Sequence, residues 1–317
     1  MKPTMTEETK KRIESGAEII VSFSGGKDST ATCLFLFELG FSKNDFKRVY
    51  FDTGWESPIT YEYIDSIQDT IGEVEVLRRQ IDIKRLPKTA QNMIKELEDE
   101  LGHESPFIRL VFENHSFPSH YRKFCTRELK IEVFQEFVEK QDNDFINAVG
   151  VRREESSRRS TVEEWEWNDS YHAWVWRPLY LWKEKDVIDI HHRFGVTPNS
   201  LYLNGHHRVG CFPCIYQNKG DIANLPASRV AFIAKFEKYL GEFLQEHTKN
   251  EKVILRLNEA IEKKGYVYRS FFSKEHIPID DLLIWSKTSR GGKQFKLFDL
   301  EEPSCAKWGM CDFSGGK

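Results

Sequence analysis

The chain has 317 residues, with 30% charged residues, 39% hydrophobic residues and a formal net charge of −4. This length suffices for an α/β domain and a smaller accessory region, and the composition excludes a disordered chain. No apolar run is long enough to span a bilayer and the polar N-terminus has no secretory signal, so we expect a cytoplasmic protein without a membrane partner. The charge balance gives no overall electrostatic footprint for nucleic acid, and a nucleic-acid partner is neither supported nor excluded.

The first half of the chain alternates segments of strand and helix character. This alternation predicts an α/β fold with a Rossmann-like, doubly wound, mostly parallel sheet and helices on both faces. In such a sheet, ligands bind outside the carboxyl ends of the strands. The predicted strands cover 17–23, 46–54, 73–81 and 143–151, and the predicted helices cover 30–40, 61–72 and 126–141.

The pattern changes after residue 151. Four tryptophans with a spacing of two, on either side of an Asn-Asp-Ser turn, predict a β-hairpin with an aromatic face. We favour core packing or a lid for this face over a platform for nucleobases. Helices are predicted over 182–195 and from 226 to about 265, and a loop with a late strand over 286–299. We therefore divide the chain into an N-terminal extension (1–16), an α/β domain (17–216) and a mainly helical C-terminal region with a cysteine-containing tail (217–317).

A short polar loop, SGGKDS (24–29), joins the first predicted strand to the first predicted helix. Gly25 and Gly26 let a ligand approach the backbone, Lys27 supplies a positive charge, and Ser24 and Ser29 can donate hydroxyl groups. The amides and dipole at the start of a helix favour a phosphate. The spacing is neither that of a Walker A motif nor that of GxGxxG. We expect the loops at Ser24, Asp52 and Gly150 to meet in one crevice.

The segment FSGGKDST closely resembles the PP-loop of the N-type ATP pyrophosphatases, the adenine nucleotide α-hydrolase superfamily. Further segments resemble the phosphoadenosine phosphosulfate (PAPS) reductases in this superfamily: YFDTGWE, RKFCTRELKIEVF, VGVRREESSRR, RPLYLWKEKDVIDI and NSLYLNGHHRVGCFPC. The likeness runs in register from about residue 18 to 216.

The resemblance implies a set of nucleotide-binding residues. Lys27 and Asp28 would be catalytic, and the PP-loop would hold the pyrophosphate of ATP and its Mg²⁺. Four basic residues are candidates for anionic groups of the nucleotide or of a second substrate, with solvated surface charge as the alternative for each: Arg127, Lys130, Arg152 and Arg158. The implied ATP-binding residues are Ser24, Gly25, Gly26, Lys27, Asp28, Ser29, Asp52, Gly54, Gly150 and Arg152.

Cysteines supply the second kind of candidate site. Cys125, Cys211 and Cys214 suit tetrahedral zinc or an iron–sulfur cluster. The resemblance favours a [4Fe–4S] cluster, with zinc or unligated thiols as the alternative. Adenylylsulfate reductases carry a Cys-Cys pair where this chain has Phe124 and Cys125, so the fourth ligand is Cys311, Cys305 or none. Cys311 is either a ligand or a sulfur relay, and Cys33 is expected in the core.

Two departures from the reductases decide the predicted reaction. The PP-loop is complete here, whereas sulfonucleotide reductases usually carry a degenerate one, and the C-terminal tail lacks their Glu-Cys-Gly-x-His motif. We therefore predict an ATP-dependent, iron–sulfur sulfur-transfer enzyme, similar to cluster-bearing sulfurtransferases such as the DNA phosphorothioation component. The alternatives are a PAPS or adenylylsulfate reductase using Cys305 or Cys311, and a non-catalytic nucleotide-binding partner subunit. The expected partners are a sulfur donor such as a cysteine desulfurase, a nucleic-acid or small-molecule acceptor, and a second copy of the chain.

Overall fold

The fold is built around one six-stranded sheet. The computed structural model describes residues 6–141, 143–272, 277–288 and Trp308. The strands are β1 (Glu18–Phe23), β2 (Phe46–Phe51), β3 (Glu75–Leu77), β4 (Phe145–Val149), β5 (Trp165–Asn168) and β6 (Ala173–Trp176). They lie in the order β3-β2-β1-β4-β6-β5, and every neighbouring pair is parallel except β5 and β6. The predicted Rossmann-like, mostly parallel sheet is confirmed.

Helices cover both faces of the sheet and form a group after it. In the described residues they are α1 (Glu7–Glu14), α2 (Lys27–Glu38), α3 (Pro58–Ile71), α4 (Lys88–Leu101), α5 (Pro106–Glu113), α6 (Phe124–Thr126), α7 (Glu132–Val138), α8 (Glu184–Phe194), α9 (Ser200–Leu203), α10 (Lys219–Ala223), α11 (Ala227–His247), α12 (Glu251–Lys264) and α13 (Ile279–Ser286). A π-helical turn, Arg127–Ile131, joins α6 to α7. None of the helices in these ranges is long and apolar enough to cross a membrane.

The central strand β1 shows why the sheet is buried on both faces. Its sequence EIIVSF is almost continuously apolar, as expected for a parallel strand covered by helices on each side. Val21 and Phe23 pack in a core with residues of α2 and α8, including Cys33, which is fully buried as predicted. On the opposite face, Ile20 packs with Phe134 of α7. Burial on both faces places β1 at the centre of the domain.

The predicted tryptophan hairpin forms the edge of the sheet. Trp165 lies opposite Trp176 with stacked rings 5.5 Å apart, and Trp167 lies opposite Trp174 with ring centroids 5.4 Å apart. Trp176 is buried in the core, and the Trp165 indole donates to Thr9 of α1. The predicted hairpin is confirmed, and core packing accounts for Trp165 and Trp176.

A second core lies between the α/β sheet and the C-terminal helices. Trp55 is 1% exposed and packs against Phe107 of α5, Phe236 of α11 and Phe271. The region predicted to be helical from 226 to about 265 is confirmed and consists of two helices, because Asn250 accepts hydrogen bonds from the amides of Lys252 and Val253 and starts α12. The division of the chain into domains stays a prediction.

One buried carboxyl group ties α11 to the segment that follows α12. Glu237 is 1% exposed, and its carboxyl oxygens accept from the amides of Phe271 at 2.6 Å and Ile279 at 2.9 Å. Burial raises the pKa of Glu237 to about 8, because the charged form loses its hydration. The protonated form is therefore the favoured form in the folded protein up to that pH.

We expect the thermal stability of the protein to fall between pH 5 and pH 8. The pKa of Glu237 is higher in the folded chain than in the unfolded chain, so its stabilising contribution is complete below the unfolded pKa. That contribution is lost as the pH rises through about 8. Melting temperatures measured across this range should show a decline that Glu237→Gln reduces. Glu242→Gln, on the same helix, should keep the wild-type slope; equal slopes for all three proteins would contradict the prediction.

Candidate functional site

The candidate site lies at the carboxyl ends of β1, β2 and β4. Because β1 is flanked by β2 on one side and β4 on the other, the loops after β1 and β4 diverge and leave a crevice between them. The loop after β1 is Ser24–Gly26 and leads directly into α2. This places the PP-loop at the position where open α/β sheets bind their ligands.

The conformation of the PP-loop favours glycine at residue 25, and both of its glycines have close neighbours. Gly25 has φ +69°, and a Cβ there would come within 3.2 Å of the Ile64 side chain on α3. At Gly26, a Cβ would lie 3.2 Å from the Tyr202 hydroxyl oxygen. Gly26 caps α2 without a side-chain hydrogen bond, so the first turn of the helix keeps amides for a ligand, apart from the Lys27 amide, which donates to the Tyr202 hydroxyl. The loop therefore fits a phosphate, which is the group that an ATP pyrophosphate would present.

The two serines of the loop hold its shape. The Ser29 hydroxyl accepts from the Ser24 amide at 3.1 Å and donates to the Gly26 carbonyl at 3.0 Å. The Ser24 hydroxyl lies 3.1 Å from the same Ser29 oxygen. The Ser29 proton that we expected to reach a phosphate is thus engaged inside the loop. Direct contact of Ser24 and Ser29 with a nucleotide stays a prediction.

Lys27 places a buried positive charge at the start of α2. It is 8% exposed, and its Nζ lies 3.6 Å from Asp28, 3.7 Å from Glu184 and 4.8 Å from the centre of the Tyr202 ring. Burial alone would lower the pKa of Lys27, but Tyr202 and the carboxylates of Asp28 and Glu184 outweigh it and leave the pKa raised. Lys27 is therefore a cation at neutral pH, as an anion-binding role requires.

Arg152, from the loop after β4, faces the PP-loop. It is 3% exposed, and its Nε donates to Asp28 Oδ1 at 2.5 Å, while one terminal nitrogen contacts Glu154 at 3.1 Å. Burial opposes its charge, but Asp28 and the neighbouring carboxylates raise the pKa of Arg152. The alternative that Arg152 is a solvated surface charge is wrong. Asp28, which we expect to take part in holding Mg²⁺, has this arginine as its partner in the structure.

Gly150 allows the two loops to meet. A Cβ at Gly150 would lie 2.5 Å from the Asp28 carbonyl oxygen and 2.8 Å from the Ser29 amide nitrogen. These are backbone atoms in the first turn of α2 and cannot rotate away. The structure thus brings the Ser24 and Gly150 loops together, as the sequence predicts.

Asp52 organises the loop after β2. Its Oδ1 accepts from the Gly54 amide and from the Tyr61 hydroxyl, each at 2.8 Å, and its Oδ2 lies 3.4 Å from Arg78. Gly54 has φ +66°, and a Cβ there would come within 2.8 Å of Ser105. Asp52 and Gly54 therefore fix the conformation of the loop after β2, which forms a wall beside α3 and the PP-loop. Their predicted contact with adenosine stays a prediction.

Three cysteines converge beside this wall. Residue Glu56 pairs with Cys211 in an isolated β-bridge, and Cys211 Sγ lies 3.8 Å from the Thr53 hydroxyl and 3.9 Å from Glu56. Burial raises the pKa of Cys211 to about 12, and Cys214 and Cys125 add to that shift. Burial and Cys214 likewise raise the pKa of Cys125. We refer to Cys125, Cys211 and Cys214 as the thiol group.

The thiol group does not form a metal site by itself. In residues 6–141, 143–272, 277–288 and Trp308, no three or more His, Cys, Asp or Glu side chains are arranged to hold a metal ion. Cys305 and Cys311, the predicted fourth ligands, lie outside these residues. We therefore derive no step of the reaction through a [4Fe–4S] cluster or zinc, and the cluster stays a prediction.

The remaining predicted anion-binding residues fall into two groups. Lys130, in the π-helical turn, lies close to the thiol group: burial alone would lower its pKa, but Cys211, Glu56 and Cys214 together raise it. Arg127 is exposed and pairs with Glu128 at 2.6 Å, and Arg158 is exposed in the turn after Arg152. The structure thus brings Lys130 to the site and leaves Arg127 and Arg158 as surface charges.

Three residues of the site were not assigned a role from the sequence. Tyr202, on α9, accepts the Lys27 amide proton at 3.2 Å, and Glu184, at the start of α8, lies beside the Lys27 ammonium. Glu56 is 4% exposed, its pKa is raised by burial, and it borders the thiol group. Tyr202 lies in the NSLYLNG segment that resembles the reductases, and this resemblance could have identified it as a site residue.

We expect Tyr202→Phe to weaken ATP binding roughly 2- to 10-fold, because a buried hydrogen bond contributes about 0.5–1.5 kcal/mol. The phenylalanine keeps the ring beside Lys27 but removes the acceptor of the Lys27 amide proton. Isothermal titration with ATP measures the change. Tyr63→Phe removes a hydroxyl that contacts Thr30 on the same helix and is the matched control. Equal ATP affinity in both variants would argue against a role for the Tyr202 hydroxyl.

The family follows from comparison with known proteins. Residues 18–217 match the model of the phosphoadenosine phosphosulfate reductase domain. The chain belongs to this family. An uncharacterized 37.8 kDa protein of Escherichia phage 186 is 30% identical over 312 residues, which cover 88% of this chain and 90% of the phage protein. The resemblance found from the sequence motifs is therefore confirmed.

Enzymes of the family provide more distant comparisons. An adenosine 5'-phosphosulfate reductase of Geobacillus thermodenitrificans is 25% identical over 201 residues, covering 63% of this chain and 74% of the reductase. A crystal structure of PAPS reductase from Candida auris, in a phosphate complex, aligns with a TM-score of 0.44 and 13% identity, covering 66% of this chain and 97% of that one. The family assignment does not depend on this structural alignment. The family contains nucleotide-processing enzymes, and we interpret this chain as an enzyme of the same superfamily.

Proposed function

We propose that the protein is an ATP-dependent enzyme that splits ATP into AMP and pyrophosphate and transfers sulfur to the activated acceptor. The observation that carries this proposal is the complete PP-loop: Gly25 and Gly26 shape a phosphate cradle, and the buried cation Lys27 stands at its end. An enzyme whose substrate is already an activated sulfate would not need to bind a pyrophosphate leaving group.

The proposed chemistry has two steps. An acceptor oxygen attacks the α-phosphorus of ATP, the bond to the β-phosphate oxygen breaks, and pyrophosphate leaves. Lys27 and the amides of the first turn of α2 offset the charge that develops on that leaving group. A sulfur nucleophile then displaces AMP from the acceptor, so that a bond to sulfur forms and the bond to the phosphate oxygen breaks. We propose an external donor, such as a cysteine desulfurase, whose persulfide attacks through its outer sulfur. A second thiol then attacks the resulting disulfide, which releases the thiolated acceptor and leaves the new disulfide on the two thiols.

The Arg152–Asp28 pair gives the site a way to respond to nucleotide. Arg152 is held by Asp28 at 2.5 Å. An incoming phosphate would compete with Asp28 for the guanidinium, and the released carboxylate would become available to Mg²⁺. In this proposal Asp28 binds the metal ion only together with the nucleotide, because the phosphate frees it from the arginine.

A sulfonucleotide reductase is the second candidate. It is supported by relatives with the name adenosine 5'-phosphosulfate reductase at about one-quarter identity. A reductase would release sulfite from adenylylsulfate or PAPS in the presence of a thiol reductant and would not turn over ATP. Its nucleophile would be Cys305 or Cys311, both outside the described residues. A non-catalytic nucleotide-binding subunit is the third candidate, and it would bind ATP without product formation.

One experiment separates the three candidates. The purified full-length protein is incubated anaerobically with Mg-ATP, with and without a total RNA or DNA extract as acceptor, and AMP and pyrophosphate are quantified. A parallel reaction contains adenylylsulfate or PAPS and a thiol reductant, and sulfite is quantified. AMP and pyrophosphate formation supports the proposal; sulfite without ATP turnover supports the reductase; neither product supports the binding subunit.

The iron–sulfur cluster requires its own measurement. We propose to reconstitute the protein anaerobically with iron and sulfide, followed by absorbance, iron and acid-labile sulfide analysis. Two variants, Cys211→Ser and Cys33→Ser, compare a member of the thiol group with a core cysteine. A cluster lost only in Cys211→Ser supports the prediction, and a protein that retains only zinc contradicts it.

A further inference from the structure

Two segments that surround the thiol group contain no acidic residue. Residues 114–127 and 190–220 have no Asp or Glu, although 50 of the 317 residues of the chain are acidic, about one in six. The first segment contains Cys125, and the second contains Cys211 and Cys214. These two segments therefore carry only positive charges, in a chain whose net charge is −4.

The fold joins the two segments around Tyr216. The His120 ring lies 4.6 Å from the Tyr216 ring, Lys123 Nζ lies 5.5 Å from its centre, and the Arg208 guanidinium lies 5.8 Å from it. Tyr216 follows Cys214 by two residues. We call His120, Tyr121, Arg122, Lys123, Arg208 and Tyr216 the basic rim of the thiol group.

The basic rim is exposed, and its cations are not neutralised. Tyr121 is 99% exposed, and Arg122, Lys123 and Arg208 are exposed. Within the described ranges, none of these three cations is ion-paired with a carboxylate. Some other exposed cations of the described ranges are paired: Lys10 with Glu7, Lys185 with Asp189, Arg193 with Glu38 and Lys264 with Asp281.

The composition of the rim matches one class of ligand. Exposed cations attract phosphates along a strand, and a free aromatic ring stacks on the face of an unpaired base. A duplex does not present base faces along its length, so Tyr121 favours a single strand. An isolated mononucleotide would be bound in the crevice and would not require an aromatic ring on the open surface.

We propose that the basic rim binds a single-stranded segment of nucleic acid and delivers it to the thiol group. Lys123, Arg208 and Arg122 contact the phosphates, and Tyr121 stacks on a base. This inference rests on the proposed function, because it names the acceptor that ATP activates as a base or phosphate of that strand. In this proposal a chain with net negative charge binds a polyanion through cations that are grouped at the rim.

Fluorescence anisotropy of the full-length protein with labelled 20-nucleotide strands tests the proposal. We expect single-stranded RNA or DNA to bind more tightly than a duplex of the same sequence and more tightly than AMP, with an affinity that falls as salt rises. Whichever of RNA and DNA binds better identifies the natural strand, and either result supports the proposal. Equal or tighter binding of the duplex, or binding of the strand no stronger than that of AMP, would overturn it.

Variants separate the charge contribution from the stacking contribution. The double substitution Lys123→Ala, Arg208→Ala should weaken strand binding at least 10-fold and reduce the slope of log K against log salt by about 1.4, since each phosphate contact contributes about 0.7 for single strands. Tyr121→Ala should weaken binding about 5- to 100-fold without changing the slope, and Tyr121→Phe should restore it. The control is Lys238→Ala, an exposed lysine of α11 that pairs with Glu242. If the double variant binds the strand as tightly as Lys238→Ala does, the assignment of the rim is wrong.

The binding assay is independent of ATP cleavage. If the protein binds the strand but releases no pyrophosphate from ATP, the result supports the proposal about the rim and contradicts the proposed function. If it releases pyrophosphate and binds no strand, the proposed function stands and the rim proposal fails. Lys27→Ala, which should strongly lower the rate of ATP cleavage, should bind the strand with wild-type affinity because Lys27 is not part of the rim.

Discussion

Replacing Lys27 by alanine is expected to lower the rate of ATP cleavage by about 10²–10³-fold, the usual cost of removing one preorganised group that stabilises developing charge. The side chain is buried at the start of α2, where it lies beside Asp28 and Glu184. Without the ammonium, the two carboxylates repel the phosphates that the loop should bind. Pyrophosphate release from Mg-ATP measures the effect, and circular dichroism establishes that the variant is folded.

The control for this variant lies one residue after Glu184. Lys185 is an exposed lysine of α8 that pairs with Asp189, and Lys185→Ala should keep wild-type turnover. Because both changes remove one positive charge from the same region, a difference between them reports the position of the charge and not the net charge. Wild-type turnover in Lys27→Ala would rule out ATP cleavage at the PP-loop.

Substituting alanine for Gly150 is the second change for which we expect a large effect. The new methyl group would lie 2.5 Å from the Asp28 carbonyl oxygen, so the loop after β4 and the first turn of α2 must separate. A misplacement of about 1 Å in a catalytic site costs on the order of 10²-fold in rate, and overpacking costs about 1–3 kcal/mol of stability. We therefore expect the Gly150→Ala protein to stay folded at room temperature and to lose most of its ATP cleavage.

A second glycine variant distinguishes local crowding from a general loss of stability. Gly102→Ala introduces a methyl group at φ +78° where no heavy atom lies within 4 Å, so it strains the backbone at the end of α4 without crowding the site. Its melting temperature should fall modestly, and its ATP turnover should remain. Full turnover in Gly150→Ala would contradict the close approach of the β4 loop to α2.

The order and type of the elements around β1 could be predicted from the sequence because their signals are local. An apolar run before SGGKDS and a helical spacing after it determine a strand, a loop and a helix without reference to the rest of the chain. The cross-strand tryptophan pairs could be predicted for the same reason, since their spacing of two and the turn between them are visible in sequence.

The partners inside the site could not be predicted in this way. Tyr202 contacts the Lys27 amide across a separation of 175 residues, and Arg152 contacts Asp28 across 124 residues. The sequence does not show whether a charged side chain becomes buried in the fold, so Arg152 could equally be interpreted as a surface charge. The helices α4 and α5 are not among the predicted helices, although the buried residues of α4, Ala90, Ile94 and Leu97, follow a helical spacing.

Trp55 connects the loop after β2 with the loop that carries Cys211 and Cys214, two regions that are far apart in the sequence. The Trp55 indole donates to the Pro213 carbonyl, and the Trp55 carbonyl accepts from the Phe212 amide and from Arg229 of α11. The loop that carries Cys211 and Cys214 is therefore attached to the loop after β2 on one side and to the C-terminal helices on the other. A substitution in α11 or α13 that shifts this core is expected to change the spacing between the thiol group and the PP-loop. Selection for the chemistry of the site can thus act on residues that never meet a substrate.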